Sequence, residues 1–390
     1  MLTSFERGIL TLVRNAVNGE KRPLPKDFDY KQAYEFGKKH QIIPLLYYGG
    51  AHIEDFVNSS VGTTFLMTTM KLASFSENQL KEIALLQDSF EKNGIEYMKL
   101  KGANLKALYP LGEMRLMSDA DILIREKQMP QIKDALIELG YEYKAHSDYE
   151  WIWQKPELAL ELHKGLVPVY QKDLYAYFGD GWERAVRVEG KSEYAMSKED
   201  EFVHLFAHLV KHYRDAGVGI KHFVDIYAYL NSNKDVNMEY VELTLKKLKL
   251  YDFFVNVKNT VNAWFCDTEL DEISEFITQK VFESGVYGQK LASLTAAKLR
   301  EKKQGKKRTG LGKFFVHIFP TFITMRSLFP VLDKAPILLP FMWVWRWLCI
   351  IFKEKEKVKR YKENSKIEIT DQSISEYQCE LNYVGLDYNF

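Results

Sequence analysis

The chain has 390 residues, 46% of them hydrophobic and 14% aromatic, enough apolar side chain for two or three packed domains. Its 54 Lys+Arg against 53 Asp+Glu leave a net charge of +1, which excludes a polyelectrolyte partner addressed by overall charge. Cys266, Cys349 and Cys379 are few, odd in number and far apart, which excludes a disulfide framework or a cysteine zinc site and fits a reducing, cytoplasmic setting. The opening stretch MLTSFERGILTLVRN is interrupted by Glu6, Arg7 and Arg14 and reads as a helix, not a signal peptide. Residues 1–94 are expected to be helical. Phe5, Ile9, Leu10, Leu12 and Val13 recur at helical spacing. Lys21–Pro25 is a loop, 28–40 a second helix, and Pro44 opens a third. The stretch 63–93, with Leu66, Met70, Leu72, Phe75, Leu80, Ile83, Leu85, Leu86 and Phe90, predicts a long helix closed at Asn93-Gly94. This region is read as a support for a sheet.

Residues 95–196 are expected to carry that sheet. Tyr97–Leu100 predicts a strand, Lys101-Gly102 breaks it, 103–109 predicts a short helix, and Met117–Ile124 a second strand. Asp119 and Asp121, two apart, share one face of it. Like charges beside Ile122, Leu123 and Ile124 repel unless a cation sits between them; a divalent metal, Mg²⁺ or Mn²⁺, resolves the conflict. In Leu158–His163, alternation puts Ala159, Glu161 and His163 on one face and the leucines on the other. Placed beside the aspartate strand, Glu161 completes a three-carboxylate cluster, able to hold two metals for in-line displacement at phosphorus. Between them lie a predicted helix over 128–139, closed by Gly140, and strands at 141–144 and 151–153. With Lys155-Pro156-Glu157 as a turn, these and 158–163 form successive antiparallel strands, and 187–188 predicts a further short strand. The pattern predicts an α+β fold with a mixed sheet flanked by helices.

Residues 197–300 are expected to be a helical domain. Ser197 caps a helix running to 212 or 213, with His204, His208 and His212 on one face. That spacing admits a zinc site, a packed face, or contact with a ligand. Lys221–Leu230 predicts another helix, in which Asp225 lies among Phe223, Ile226 and Tyr229 and pairs with a nearby cation or lines a pocket. Residues 301–390 form the last region. The run Lys298, Arg300, Lys302, Lys303, Lys306, Lys307 and Arg308 predicts a basic linker for RNA phosphates, an anionic membrane or water. Ile337–Phe352 is apolar apart from Arg346, but it holds Pro340 and falls short of the roughly 20 residues a membrane span needs. Trp343, Trp345 and Trp347 suit either a headgroup zone or a buried hairpin, so 298–352 is a candidate peripheral contact with the inner membrane face. The charged tail from Lys353 predicts an extended helix and then disorder.

The order Lys101-Gly102, short helix, Arg115, Ser118-Asp119-x-Asp121 and a later strand with Glu161-Leu-His163 resembles the bacterial uncharacterised nucleotidyltransferases of the polymerase-beta-like superfamily. The likeness is strongest over about 94–163 and weaker through Leu230 and to Pro330 and Pro340. The resemblance implies Mg²⁺-dependent transfer of a nucleoside monophosphate from an NTP to a small-molecule, protein or RNA hydroxyl. It implies that Asp119 and Asp121 bind the metal gripping the triphosphate. Glu161, with one of them, then holds the metal that activates the acceptor. Gly102 lets backbone approach the phosphates, with Ala103 where the superfamily has Gly or Ser. Lys101 and Arg115 neutralise phosphate charge, or Arg115 pairs with Asp119. Ser118 donates to phosphate or caps its turn, Asp225 joins the nucleotide pocket, and His163 orients Glu161. Two other functions use the same residues: a non-catalytic nucleotide-binding or assembly protein with a membrane-facing C-terminal surface, and a phosphohydrolase. No sequence feature selects a base, an acceptor or an oligomeric state.

Overall fold

Alternating apolar residues build one mixed sheet. The structure is a computed structural model and describes residues 2–285, 288–303, 318–329, 331–353 and 369–387. Its strands are β1 (Tyr97–Leu100), β2 (Asp119–Ile124), β3 (Glu142–His146), β4 (Glu150–Gln154), β5 (Ala159–His163), β6 (Ala185–Arg187) and β7 (Glu193–Met196). They are ordered β3-β4-β5-β2-β1-β7-β6 across the sheet. β2 runs antiparallel to β1 and parallel to β5, and β1 runs parallel to β7. β3, β4 and β5 form the antiparallel meander the sequence predicts, and the fold is α+β. The strand expected at 187–188 lies at 185–187. β7, with three half-buried residues and one exposed, is too short to show an alternation in the sequence.

Five helices precede the sheet: α1 (Ser4–Asn18), α2 (Tyr30–His40), α3 (Ile43–Gly50), α4 (Glu54–Val57) and α5 (Ser60–Lys92). Thr3 and Glu6 close a capping box at the start of α1, with Glu6 N–H donating to Thr3 Oγ1 at 3.2 Å and Thr3 N–H to Glu6 Oε2 at 2.7 Å. Within and after the sheet come α6 (Gly102–Lys106), α7 (Met129–Glu138), α8 (Lys172–Phe178), α9 (Lys198–Asp215), α10 (Ile220–Ser232), α11 (Met238–Lys247), α12 (Tyr251–Phe265), α13 (Glu272–Ser284) and α14 (Lys290–Lys303). Ser197 caps α9 as expected, its Oγ accepting from Asp200 N–H at 3.1 Å, but the helix runs on to Asp215.

Period-two alternation sorts the two faces of the sheet. Ala120, Ile122, Ile124, Leu160 and Leu162 pack under α5 and α7 with Ile83, Leu86, Phe90, Ile132 and Leu136. The other face of β2 carries Asp119, Asp121 and Leu123, and Leu123 belongs to the larger core built with α9 and α10. The buried seam of α5 includes Thr69, Ser76 and Gln79, while Met70, Phe75, Leu80 and Leu85 are exposed. The apolar positions read from the sequence are therefore not all in the core. The polar seam residues have work near β2: Gln79 Nε2 donates to Met117 O at 3.1 Å, and Ser76 Oγ accepts from the buried Lys106 Nζ.

The C-terminal expectations change more. Lys298, Arg300, Lys302 and Lys303 lie on α14, not in a linker. Lys298 donates to Ile369 O at 2.9 Å, Arg300 pairs with Asp215, and Lys302 pairs with Asp371 at 3.1 Å. The rest of the expected linker, including Lys306, Lys307 and Arg308, lies outside the described residues. Asp371–Tyr383 is a helix and not disordered tail. Ile374, Leu381, Val384 and Leu386 are buried in the main core, and that apolar burial offsets the ordering cost a polar tail could not meet. The apolar helix Leu339–Lys353 bonds through Trp343 Nε1 to Pro320 O and through Trp347 Nε1 to Ile318 O, each at 3.0 Å. It leaves Phe341, Val344, Trp345 and Leu348 exposed. No helix among the described residues is long and apolar enough to cross a membrane.

The close crossing of α1 and α3 depends on Gly49: a Cβ there would lie 1.8 Å from Leu12 O. Backbone cannot yield as a side chain can, so Gly49→Ala is expected to cost about 1–3 kcal/mol, read as a lower urea midpoint at unchanged slope.

Candidate active site

The site begins with strand register. Parallel pairing sets Asp121 beside Glu161 and Leu123 beside His163, and the β4–β5 hairpin sets Glu150 opposite His163. Residues far apart in the chain thus meet on one face. His163 Nε2 lies 2.8 Å from Asp121 Oδ1 and 3.7 Å from Glu161 Oε2, and its Nδ1 lies 3.7 Å from Glu150 Oε2. Asp121, Glu161 and His163 each present a ligand atom within 4.8 Å of the others. Two carboxylates and an imidazole make a chemically suitable donor set for a divalent cation. Asp119 lines the same cavity but stands outside this compact set.

Lys101 Nζ reaches Asp121 Oδ1 at 3.3 Å. Its backbone sits at φ +37° where β1 turns into α6, a conformation side chains rarely adopt and one that tends to persist at functional sites. At Gly102 a Cβ would meet Met117 Sδ at 2.8 Å, so packing inside the chain already demands glycine there. Ser118 is exposed, with its Oγ 3.4 Å from the Gln41 amide.

These residues open on a cavity of about 310 Å³ whose second wall comes from α9 and α10. Arg115 grips Asp225 through two bonds, Nε to Oδ1 and Nη2 to Oδ2, both 3.1 Å, and Tyr109 OH donates to Oδ1 at 2.7 Å. The ion-pair partner of Arg115 is therefore Asp225 and not Asp119. The extended backbone after the 3₁₀ turn Gly112–Met114 brings the guanidinium to α10. The sequence reading missed Lys211, Lys221, His222 and Glu150, all of which line the cavity. Hairpin arithmetic could have found Glu150, since Gln154 opposite Ala159 forces Glu150 opposite His163. The lysines carry a weaker signal, charges on otherwise apolar helix faces.

The three histidines of α9 divide. His204 is buried, with Nε2 3.0 Å from Leu166 O. His208 and His212 touch each other, Nε2 to Nε2 at 3.0 Å, and line the cavity with His222. None of them belongs to the metal-competent group found among the described residues, so the trio does not form the zinc site their spacing allowed.

A family model described as an uncharacterised nucleotidyltransferase matches residues 26–266, more than half of the chain. The chain belongs to this nucleotidyltransferase family. Comparison with curated proteins and with solved structures returns no match. The matched span contains the whole sheet and the cavity, and it makes the protein an enzyme of nucleotidyl transfer with a nucleotide substrate.

In this nucleotidyltransferase the acid wall is electrostatically divided. Burial, then Asp119 and Asp121, push the Glu161 carboxyl up to about 8. Burial works to raise Asp121 as well, but Lys101 and His163 outweigh it and hold Asp121 well below the usual carboxylate range. Burial and the neighbouring Asp121 raise Asp119. One strongly ionised acid beside two reluctant ones is an arrangement a cation relieves. On the opposite wall, burial and then Arg115 push Lys221 down to about 8, and burial lowers His208 and His212 well below their ordinary range.

His204 supplies a stability test. Burial and then Lys101 push it down to about 3. The unfolded chain takes up a proton near 6.5 that the folded chain refuses until about 3, so stability falls as pH drops below 6.5. Between pH 7 and pH 5 the share of His204 is expected to be about 2 kcal/mol, beside the losses from His40, His208, His212 and His222, which burial lowers too. His204→Gln should therefore make that limb shallower by about this amount in urea unfolding curves at the two pH values, without abolishing it.

Proposed function

We propose that the chain transfers a nucleoside monophosphate from an NTP to a hydroxyl acceptor, with Asp119, Asp121 and Glu161 as its catalytic and metal-holding acids. The reading is carried by the parallel register that seats Asp121 beside Glu161, facing a wall with Arg115, Lys211 and Lys221. Asp119, Asp121 and Glu161 would hold a divalent cation such as Mg²⁺ or Mn²⁺, which would supply Lewis-acid polarisation of the phosphate and easier ionisation of the acceptor hydroxyl. The chain's own groups do the rest. Lys101 and Arg115, with Lys211 and Lys221, offset the phosphate charge that develops during transfer. Gly102 and Ser118 border the triphosphate, and Asp225 holds Arg115 in place from behind. The acceptor oxygen bonds to the α-phosphorus as the bond to the bridging oxygen breaks. Pyrophosphate leaves, and the hydroxyl proton passes to a cavity carboxylate.

Each NTP with Mg²⁺ is titrated calorimetrically into the native protein and into Asp121→Asn and Glu161→Gln, and products are followed with small-molecule, peptide and RNA acceptors. The expected result is pyrophosphate release with a labelled acceptor, lowered at least about 100-fold in both variants. Equal nucleotide binding and turnover by variants and native protein would remove the catalytic case. Release of orthophosphate with an unlabelled acceptor would point to hydrolysis.

We propose also that the helix Leu339–Lys353 meets a membrane surface peripherally, at the inner face. What supports this is the exposure of Phe341, Val344, Trp345 and Leu348 at i, i+3, i+4 and i+7, one helical stripe. Val344→Asp is expected to abolish co-sedimentation with anionic vesicles and leave nucleotide binding unchanged; absence of pelleting by the native protein at low salt overturns the idea.

A further inference from the structure

We infer that the cation seat has mixed oxygen–nitrogen donors, with His163 as a metal ligand and Glu150 as its positioning residue. It therefore selects divalent first-row transition ions over Mg²⁺, and Mn²⁺, the weakest binder of that series, is the stringent probe of the preference. This inference rests on the metal-dependent reading above.

The ring of His163 is 3% exposed and has a carboxylate at each end: Asp121 Oδ1 2.8 Å from Nε2 and Glu150 Oε2 3.7 Å from Nδ1. Nδ1 makes no hydrogen bond in this arrangement. A neutral imidazole carries one N–H and can satisfy only one of the two acids. With that hydrogen on Nδ1, the ring faces Glu150 favourably after a shift of less than an ångström, as metal-bound histidines commonly face an outer carboxylate. Nε2 then presents a lone pair toward Asp121 and Glu161, and three acceptor atoms converge within 4.8 Å. Lys101 Nζ, 3.3 Å from Asp121 Oδ1, offsets one acid, and a divalent cation among the three acceptors offsets the rest.

Ring orientation is fixed before any ion arrives. Tyr149 packs on His163 with ring centroids 4.8 Å apart, and its own OH donates to Leu166 O at 3.0 Å. Strand pairing holds Glu150 opposite His163 and Asp121 beside Glu161. Backbone register therefore keeps an acid within reach of each end of the ring. The donor set then decides the ion. Mg²⁺ is hard, prefers oxygen and keeps much of its water. Imidazole nitrogen is a better ligand for first-row transition ions; Mn²⁺ binds most weakly among them, and its paramagnetism makes it the ion to compare with Mg²⁺.

The test titrates MnCl₂ and MgCl₂ separately, without nucleotide or acceptor, into the native protein, His163→Gln and Glu150→Gln, with folding checked by circular dichroism. Calorimetry gives the affinities, and pulsed electron paramagnetic resonance of bound Mn²⁺ reads coupling to a ¹⁴N nucleus. The native protein should bind Mn²⁺ at least about tenfold tighter than Mg²⁺ and show ¹⁴N coupling. His163→Gln should lose the coupling and the preference together. Glu150→Gln should weaken Mn²⁺ about 10–100-fold and leave Mg²⁺ nearly unchanged. Equal affinities in the native protein, or bound Mn²⁺ without ¹⁴N coupling, overturn the inference. If His163→Gln does not fold, the native ¹⁴N spectrum decides alone. A nitrogen-coupled seat in a protein that moves no nucleotide would sink the transfer reading and keep this one. Transfer by His163→Gln with unaltered metal preference would do the reverse.

Discussion

The parallel pairing of β2 with β5 is the constraint from which the site follows. It places Asp121 against Glu161 across one inter-strand gap, at a separation where ionised carboxylates repel. The same pairing buries Ile122, Ile124, Leu160 and Leu162 on the opposite face. A one-residue slip of β5 would turn Leu160 and Leu162 into the cavity and Glu161 into the core, so hydrophobic burial enforces the electrostatic strain. The core under α5 and α7 thus stabilises an acid cluster that would otherwise disperse.

The second wall answers the first. Arg115 and Asp225 form a two-bond pair joined by Tyr109, which ties the irregular segment before β2 to α10. A buried pair of this kind contributes little net stability, because desolvation opposes the attraction; its stronger effect is geometric. It sets where α10, and with it Lys221 and His222, stands relative to the acids. Lysines and histidines lowered by burial face two acids that burial raises, so the cavity's charge is held back, a setting in which functional groups cluster.

Much of this was legible in the sequence because it depended on local pattern. Alternation in 119–124 and 158–163 assigned faces correctly, and the strand–break–helix order around Lys101-Gly102 is observed at 97–106. What escaped depended on distant partners. Nothing near Arg115 in sequence names Asp225, and β7 is defined only by its pairing with β1 and β6. Lys211 and Lys221 become cavity residues only once α9 and α10 cross the sheet. The polar members of the α5 seam were hidden for a related reason: Gln79 and Ser76 are buried to serve Met117 and Lys106, and apolar periodicity assigns such positions to solvent. The tail was misjudged on composition, although Ile374 and Leu381, seven apart, were there to be read on one helical face.

That last described helix bears on how the cavity's second wall is held. Arg214 of α9, buried beside the cavity's histidines, bonds Asp173 Oδ2 at 2.8 Å and the backbone carbonyl of Asp387 at 2.6 Å, and Lys280 of α13 pairs with Glu380 at 2.7 Å. The helix that presents His208 and Lys211 therefore has its full set of anchors only when the stretch 371–387 is docked. Until then α9 is a buried helix missing one clamp. The bond from Arg214 to Asp387 joins residues 173 apart in the chain, so the wall that faces the acids is closed by a contact of long sequence separation, the kind that forms slowly.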